Sequence, residues 1–153
     1  MLSLTQGIFN YWDILWICLP LIIGFSTSAG CPIGKNAGSN VKFRPPAWSF
    51  AVIWVIIFVA FGFSWSLAIH HSSGYKIPLT IVLYSLALLS LAIWIIVYGC
   101  VKNKKVASWI LIISLALTFM CFTQGNDISR ILLGPLFAWA IFAMIMNTTE
   151  VQM

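Results

Sequence analysis

Aromatic residues recur at helical spacing along this chain, and they carry its most informative chemistry. Eight tryptophans occur among 153 residues. In one segment four rings follow a 4-3-4 spacing, which places them on a single face of a helix. These rings are Trp54, Phe58, Phe61 and Trp65. A second segment carries Trp94 and Tyr98 at the same kind of spacing. The pattern predicts that indoles from separate helices face a shared interior.

A third segment adds polar and small groups to the indoles. Its residues recur every four positions, so that a kink, an indole, a small side chain and an amide share one helix stripe. They are Pro135, Trp139, Ala143 and Asn147. Flat aromatics with a small residue and one polar group suit a flat apolar ligand, such as a sterol or a tetrapyrrole. The residues alone leave two alternatives open: plain core packing of the rings, and helix–helix hydrogen bonding by Asn147.

The elements that must position these residues are five apolar stretches, none with a charge near its middle. Each is about as long as a helix that crosses the ~30 Å hydrocarbon core of a bilayer. Unbroken apolar runs in lipid read as helices because the backbone must satisfy its own hydrogen bonds. We therefore predict an all-α, five-transmembrane-helix bundle and a single membrane domain over 1–153. The predicted helices span about 12–29, 47–69, 77–101, 106–123 and 131–147.

The charges of this chain lie mostly in the connections and predict its orientation. Only 7% of the residues are charged. Loop 30–46, loop 102–105 and the C-terminal tail share one side and hold six of the eight Lys and Arg residues. The positive-inside tendency predicts that this side is cytoplasmic. Loop 30–46 is long and rich in turn residues, which suggests a functional segment such as a lid.

Other chemistries find little support in the residue pattern. The four cysteines have neither CxxC nor zinc-type spacing and read as small packing residues. We predict no metal site, no catalytic constellation and no nucleic-acid partner. A proton-coupled exporter needs an intramembrane carboxylate, and Asp13 at a span edge is the sole candidate. The small row Ala60, Ser64 and Ala68 could pack a homodimer or a neighbouring helix.

Two segments of the chain resemble a known family. Residues 43–54 read FRPPAWSFAVIW, and residues 132–147 read LLGPLFAWAIFAMIMN. The first is similar to the start of the second helix, and the second to the fifth helix, of the TspO/MBR family of tryptophan-rich sensory and translocator proteins. The third span departs from the family pattern, because Ala87 and Leu91 stand where Gln and Asn are common. The cavity expected here is therefore less polar.

The resemblance implies a membrane receptor or carrier that binds porphyrins, haem precursors or sterols and often forms dimers. No cofactor is required, and porphyrin or haem enters as ligand. Carried over by position, the residues lining the cavity would be Trp54, Trp94, Trp139, Ala143 and Asn147. Trp48 would cover the cavity. Lys42 or Arg44 could meet ligand carboxylates at its mouth, or could serve only as positive anchors on the cytoplasmic side. The alternative function is light- or oxygen-dependent porphyrin degradation, with Trp54 and Trp139 as redox-active aromatics.

Overall fold

Five helices, each long and apolar enough to cross a bilayer, make up most of the described chain. This computed structural model describes residues 11–31 and 41–152. The helices are α1 (Tyr11–Gly30), α2 (Ala47–His71), α3 (Lys76–Ile96), α4 (Lys104–Cys121) and α5 (Asp127–Gln152). The predicted all-α membrane bundle is confirmed. Most of the proposed lid, residues 32–40, lies outside the described residues.

Local chemistry sets the helix ends. Pro46 precedes the first residue of α2, where a missing N–H has no helical partner to lose. The Asn103 side chain caps α4 by accepting a hydrogen bond from the Val106 N–H at 3.1 Å. Between these helices, α3 ends in one π-helical turn, Val97–Val101, which Lys102 terminates in the left-handed conformation (φ 59°). The helices therefore begin and end close to the polar connections.

The last helix is longer than the apolar stretch that predicts it. Its first turn begins after Asn126, whose side chain accepts a hydrogen bond from the Ser129 N–H at 3.0 Å. It continues past Asn147 to Gln152, so residues expected in a C-terminal tail are helical. This extension carries the Glu150 carboxylate into the bundle, where it is buried.

The helices form a closed ring. In order around the bundle, α1 packs on α2, α2 on α5, α5 on α4, α4 on α3, and α3 returns to α1. One end of the ring, hereafter the basic end, carries the C-termini of α1, α3 and α5. Among the described residues, the cations of this end are Lys42, Arg44, Lys102, Lys104 and Lys105. The other end is called the opposite end.

Close contacts at the opposite end fix α2 against its neighbours. Ser66 and His70 both bond the buried carboxylate of Asp13 on α1, at 2.9 Å and 2.7 Å. The Ser64 hydroxyl pairs with the Tyr84 hydroxyl on α3 at 2.9 Å and donates to the Ser129 carbonyl on α5 at 2.7 Å. Within the described residues, Ser64 from the small row therefore faces other helices of the same bundle.

Candidate functional site

Three indoles from three different helices meet near the basic end. The Trp54 ring on α2 lies 5.7 Å from the Trp94 ring on α3 and 6.4 Å from the Trp139 ring on α5, measured between centroids. The structure thus brings together the tryptophans that helical spacing placed on inward faces. We call Trp54, Trp94 and Trp139 the indole cluster. Trp54 pairs with both other rings, so a ligand that inserts between them must move at least one ring.

Two indole N–H groups of the cluster are buried in apolar surroundings. Trp94 is 5% exposed, whereas Trp54 and Trp139 are half-buried. Among the described residues, neither the Trp94 nor the Trp139 indole nitrogen has a hydrogen-bond partner. An unsatisfied buried donor costs about 1–3 kcal/mol, which a ligand acceptor could recover on binding. The cluster therefore offers both flat faces and donors.

A recess of about 390 Å³ opens beside the indole cluster, between α2 and α5. Its lining is apolar and consists of Ile53, Ile56, Ile57, Pro135, Ala138, Trp139 and Phe142. Trp139 belongs to both the recess and the indole cluster. Ile56 on the rim is 57% exposed in the bundle, so the opening faces outward, where the bilayer would lie. A volume of this size is at the low end for small-molecule sites.

The small residue and the amide of the α5 stripe lie deeper toward α4. Ala143 is buried in the core beside the aromatic residues. The Asn147 amide donates to the Lys104 carbonyl at 3.1 Å and to the Ser108 hydroxyl at 2.8 Å. Its carbonyl oxygen is buried and has no partner among the described residues. Asn147 thus joins α5 to α4 with its donors and keeps one acceptor available.

The two candidate mouth cations differ in their contacts. The Arg44 guanidinium lies 5.7 Å from the centre of the Phe50 ring, and Phe50 packs edge-on against Trp139 at 5.6 Å. One aromatic ring therefore separates Arg44 from the indole cluster. Lys42 is exposed at the surface of the same segment. Trp48, predicted to cover the cavity, is 70% exposed at the start of α2.

Sequence reasoning missed a polar network beside the indole cluster. Tyr98, whose ring lies 5.5 Å from that of Trp94, donates its hydroxyl proton to the buried Glu150 carboxylate at 2.7 Å. Lys104 on α4 forms an ion pair with the same carboxylate. Glu150 follows Asn147 by three positions, so continuing the α5 stripe by one turn would have found it.

The packing interpretation of the cysteines is wrong for one pair. Cys31, just after α1, forms a disulfide with Cys100 in the π-helical turn after α3. Cys18 and Cys121 are free. The two bonded residues are 69 positions apart, and their approach depends on how the helix ends meet, which local spacing does not report.

The comparisons with known proteins agree with this architecture. The chain matches the TspO/MBR family over residues 14–152. It is 28% identical over 152 residues to a protein of Chlorobaculum tepidum named tryptophan-rich protein TspO. That alignment covers 91% of this chain and 93% of the relative.

Proposed function

The chain belongs to the TspO/MBR family of membrane proteins, and we propose that it is a receptor or carrier for flat lipophilic molecules. Tetrapyrroles such as porphyrin and haem precursors are the preferred class, and sterols are the second. The binding site in this proposal is the indole cluster together with the recess that shares Trp139. The observation that carries the proposal is this meeting of three indoles beside an apolar opening.

Binding would begin at the recess, because it is the open side of the cluster. A planar ring that enters between α2 and α5 meets Trp139 first. Since Trp54 pairs with both Trp94 and Trp139, insertion beside Trp54 replaces ring–ring contacts with ring–ligand contacts of the same kind. The indole donors of Trp94 and Trp139 would then bond acceptor atoms of the ligand. No covalent chemistry is needed for this function.

Charge near the site favours tetrapyrroles over sterols. Arg44 lies one ring away from Trp139, at the basic end. A guanidinium forms strong, geometrically specific hydrogen bonds with carboxylates such as the propionates of porphyrin. A sterol offers a single hydroxyl and no carboxylate. We therefore expect porphyrins with propionates to bind more tightly than their esterified forms.

Tryptophan fluorescence tests the proposal directly. Purified protein in lipid nanodiscs is titrated with protoporphyrin, and empty nanodiscs with free tryptophan correct for partition into lipid. We expect saturable quenching at micromolar porphyrin. Porphyrin absorbance is followed in the same sample, so that photodegradation is distinguished from binding. Quenching that rises linearly with porphyrin would contradict the proposal.

Two matched variants locate the effect. Trp139→Phe removes an indole that lies in both the cluster and the recess, and it should weaken the saturable quenching. Trp109→Phe removes an indole on α4 that is 63% exposed and lies outside the indole cluster. It should leave the apparent affinity unchanged. Equal losses in both variants would place the quenching at the bilayer and not at the cluster.

A further inference from the structure

The disulfide joins two helix ends at the basic end of the bundle. Cys31 follows the last residue of α1, and Cys100 lies in the π-helical turn after α3. Their Cα atoms are 5.0 Å apart. Cys100 is exposed and Cys31 is partly exposed, so the bond is not enclosed by the bundle. Exposed disulfides are the labile kind, whereas structural ones resist cellular thiols.

The charge distribution places this bond on the side where disulfides rarely persist. The connections around it carry most of the Lys and Arg residues of the chain, which predicts a cytoplasmic position. Cytosolic thiols keep most cysteines reduced, and the disulfides found there are usually transient or redox-sensing. An exposed disulfide at a cytoplasmic helix end is therefore expected to form and break.

We propose that Cys31 and Cys100 are a reversible thiol–disulfide pair that exchanges with low-molecular-weight disulfides and links α1 to α3 covalently at the basic end. In the forward direction, the Cys100 thiolate attacks glutathione disulfide and releases one glutathione thiolate. The Cys31 thiolate then attacks the mixed disulfide and releases the second. Two electrons pass from the protein sulfurs to the glutathione sulfurs, and two glutathione molecules leave reduced.

The backbone around the pair shows what the link depends on. Gly99 lies against the Cys31 carbonyl, and a side chain at residue 99 would overlap that oxygen. Gly30, next to Cys31, has open space where its side chain would be. An alanine at either position leaves both thiols in place. Only the alanine at residue 99 should disturb the approach of the two helix ends.

The experiment counts the free thiols of the protein at a series of fixed ratios of reduced to oxidised glutathione. The full chain in lipid nanodiscs is equilibrated with glutathione buffers of different reduced-to-oxidised ratios and acid-quenched. It is then unfolded and treated with a polyethylene-glycol maleimide, and each free thiol adds one gel shift. We expect four adducts at the reducing extreme and two at the oxidising extreme. The change should fall within the range of ratios found in cytosol. Peptide mass spectrometry should find residues 31 and 100 in the same bond.

Two outcomes of this titration would overturn the proposal. Two adducts at every ratio would make the bond a permanent structural link. Four adducts at every ratio would mean that the bond does not form. Gly99→Ala should need a more oxidising buffer than Gly30→Ala to reach two adducts, with tryptophan emission confirming that both are folded. Equal behaviour of these folded variants would contradict the geometry.

Sidedness is tested separately in intact cells. After treatment with a membrane-permeant reductant, a membrane-impermeant maleimide should label Cys100 only when the cells are opened. Labelling in unopened cells would place the pair on an oxidising side and overturn the proposal. Neither thiol measurement involves porphyrin. A negative result for the disulfide therefore says nothing about porphyrin binding, and a negative result for porphyrin binding says nothing about the disulfide.

Discussion

Two aromatic clusters lie along α2, and they differ in how fully the surrounding helices enclose them. We call the rings of Trp16, Trp65 and Tyr84 the closed cluster and compare it with the indole cluster. At the opposite end Trp65 packs between Trp16 at 4.9 Å and Tyr84 at 5.8 Å, and it is 1% exposed. Near the basic end the indole cluster includes two half-buried rings and borders a recess of about 390 Å³. The Trp65 indole also lacks a hydrogen-bond partner within the described residues. An unpaired indole N–H is thus common to both clusters, and the adjoining open space is what marks a candidate binding site.

The largest expected effect is at the closed cluster. Trp65→Ala should lower the free energy of unfolding by about 3–5 kcal/mol, because it leaves a cavity among well-packed rings. Trp139→Ala should cost clearly less, since that ring is only partly buried and borders space that is already open. Denaturant titration in mild detergent measures both. Equal losses would mean that the two clusters are packed equally well.

The next largest loss of stability is expected when the hydrogen bonds next to the closed cluster are removed. Ser64→Ala removes a hydroxyl that pairs with Tyr84 and donates to the Ser129 carbonyl. The loss should be about 1–3 kcal/mol, since buried partners are left unsatisfied. Ser26→Ala on the exposed side of α1 is the control and should change stability by less than about 0.5 kcal/mol. Similar losses of stability in the two variants would show that the Ser64 hydrogen bonds do not hold α2, α3 and α5 together.

A smaller effect is expected at Asn147, where a structural role between helices can be separated from a role in ligand binding. Asn147→Ala removes the hydrogen bonds to α4 and should cost about 1–2 kcal/mol of stability. Its effect on protoporphyrin affinity should be smaller than that of Trp139→Phe, because its donors are already used within the bundle. Affinity is measured by the quenching titration and stability by denaturation. A large affinity loss with unchanged stability would make Asn147 a ligand contact and not a link between helices.

Apart from the Ser26→Ala control, the smallest change in stability is expected at the candidate binding site. Trp139→Phe keeps an aromatic ring next to the recess and should alter the free energy of unfolding by less than about 1 kcal/mol. Protoporphyrin quenching should nevertheless weaken. Unfolding of the variant in detergent would show that Trp139 is a core residue like Trp65, and the contrast between the two clusters would disappear.

Sequence alone predicted what depends on helical periodicity. The spacing around Trp54, Trp94 and Trp139 predicted which side chains share a helix face with each of them, because the period fixes those faces. That the three rings meet depends on how the helices pack in the bundle. The spacing did not give the partners of Asn147 or the burial of Glu150. Those depend on how far α5 extends and which helix it meets.

The Cys31–Cys100 bond shows the same limit more sharply. Neither cysteine has a nearby cysteine in sequence, and the contact arises only when α1 and α3 close the helix ring. Gly99 lets the two helix ends come together because it has no side chain. The sequence pattern around a glycine does not show which segment will pack against it. Sequence therefore located the faces of the helices and left the contacts between their ends undetermined.

Fluorine NMR of protein labelled with 5-fluorotryptophan compares the two clusters in a single spectrum. Single Trp→Phe variants assign the resonances, and protoporphyrin is then added to the protein in nanodiscs. We expect saturable ring-current shifts of the Trp54, Trp94 and Trp139 resonances and unchanged positions of the Trp65 and Trp109 resonances. Shifts confined to Trp109, or equal shifts at Trp65 and Trp139, would contradict this expectation.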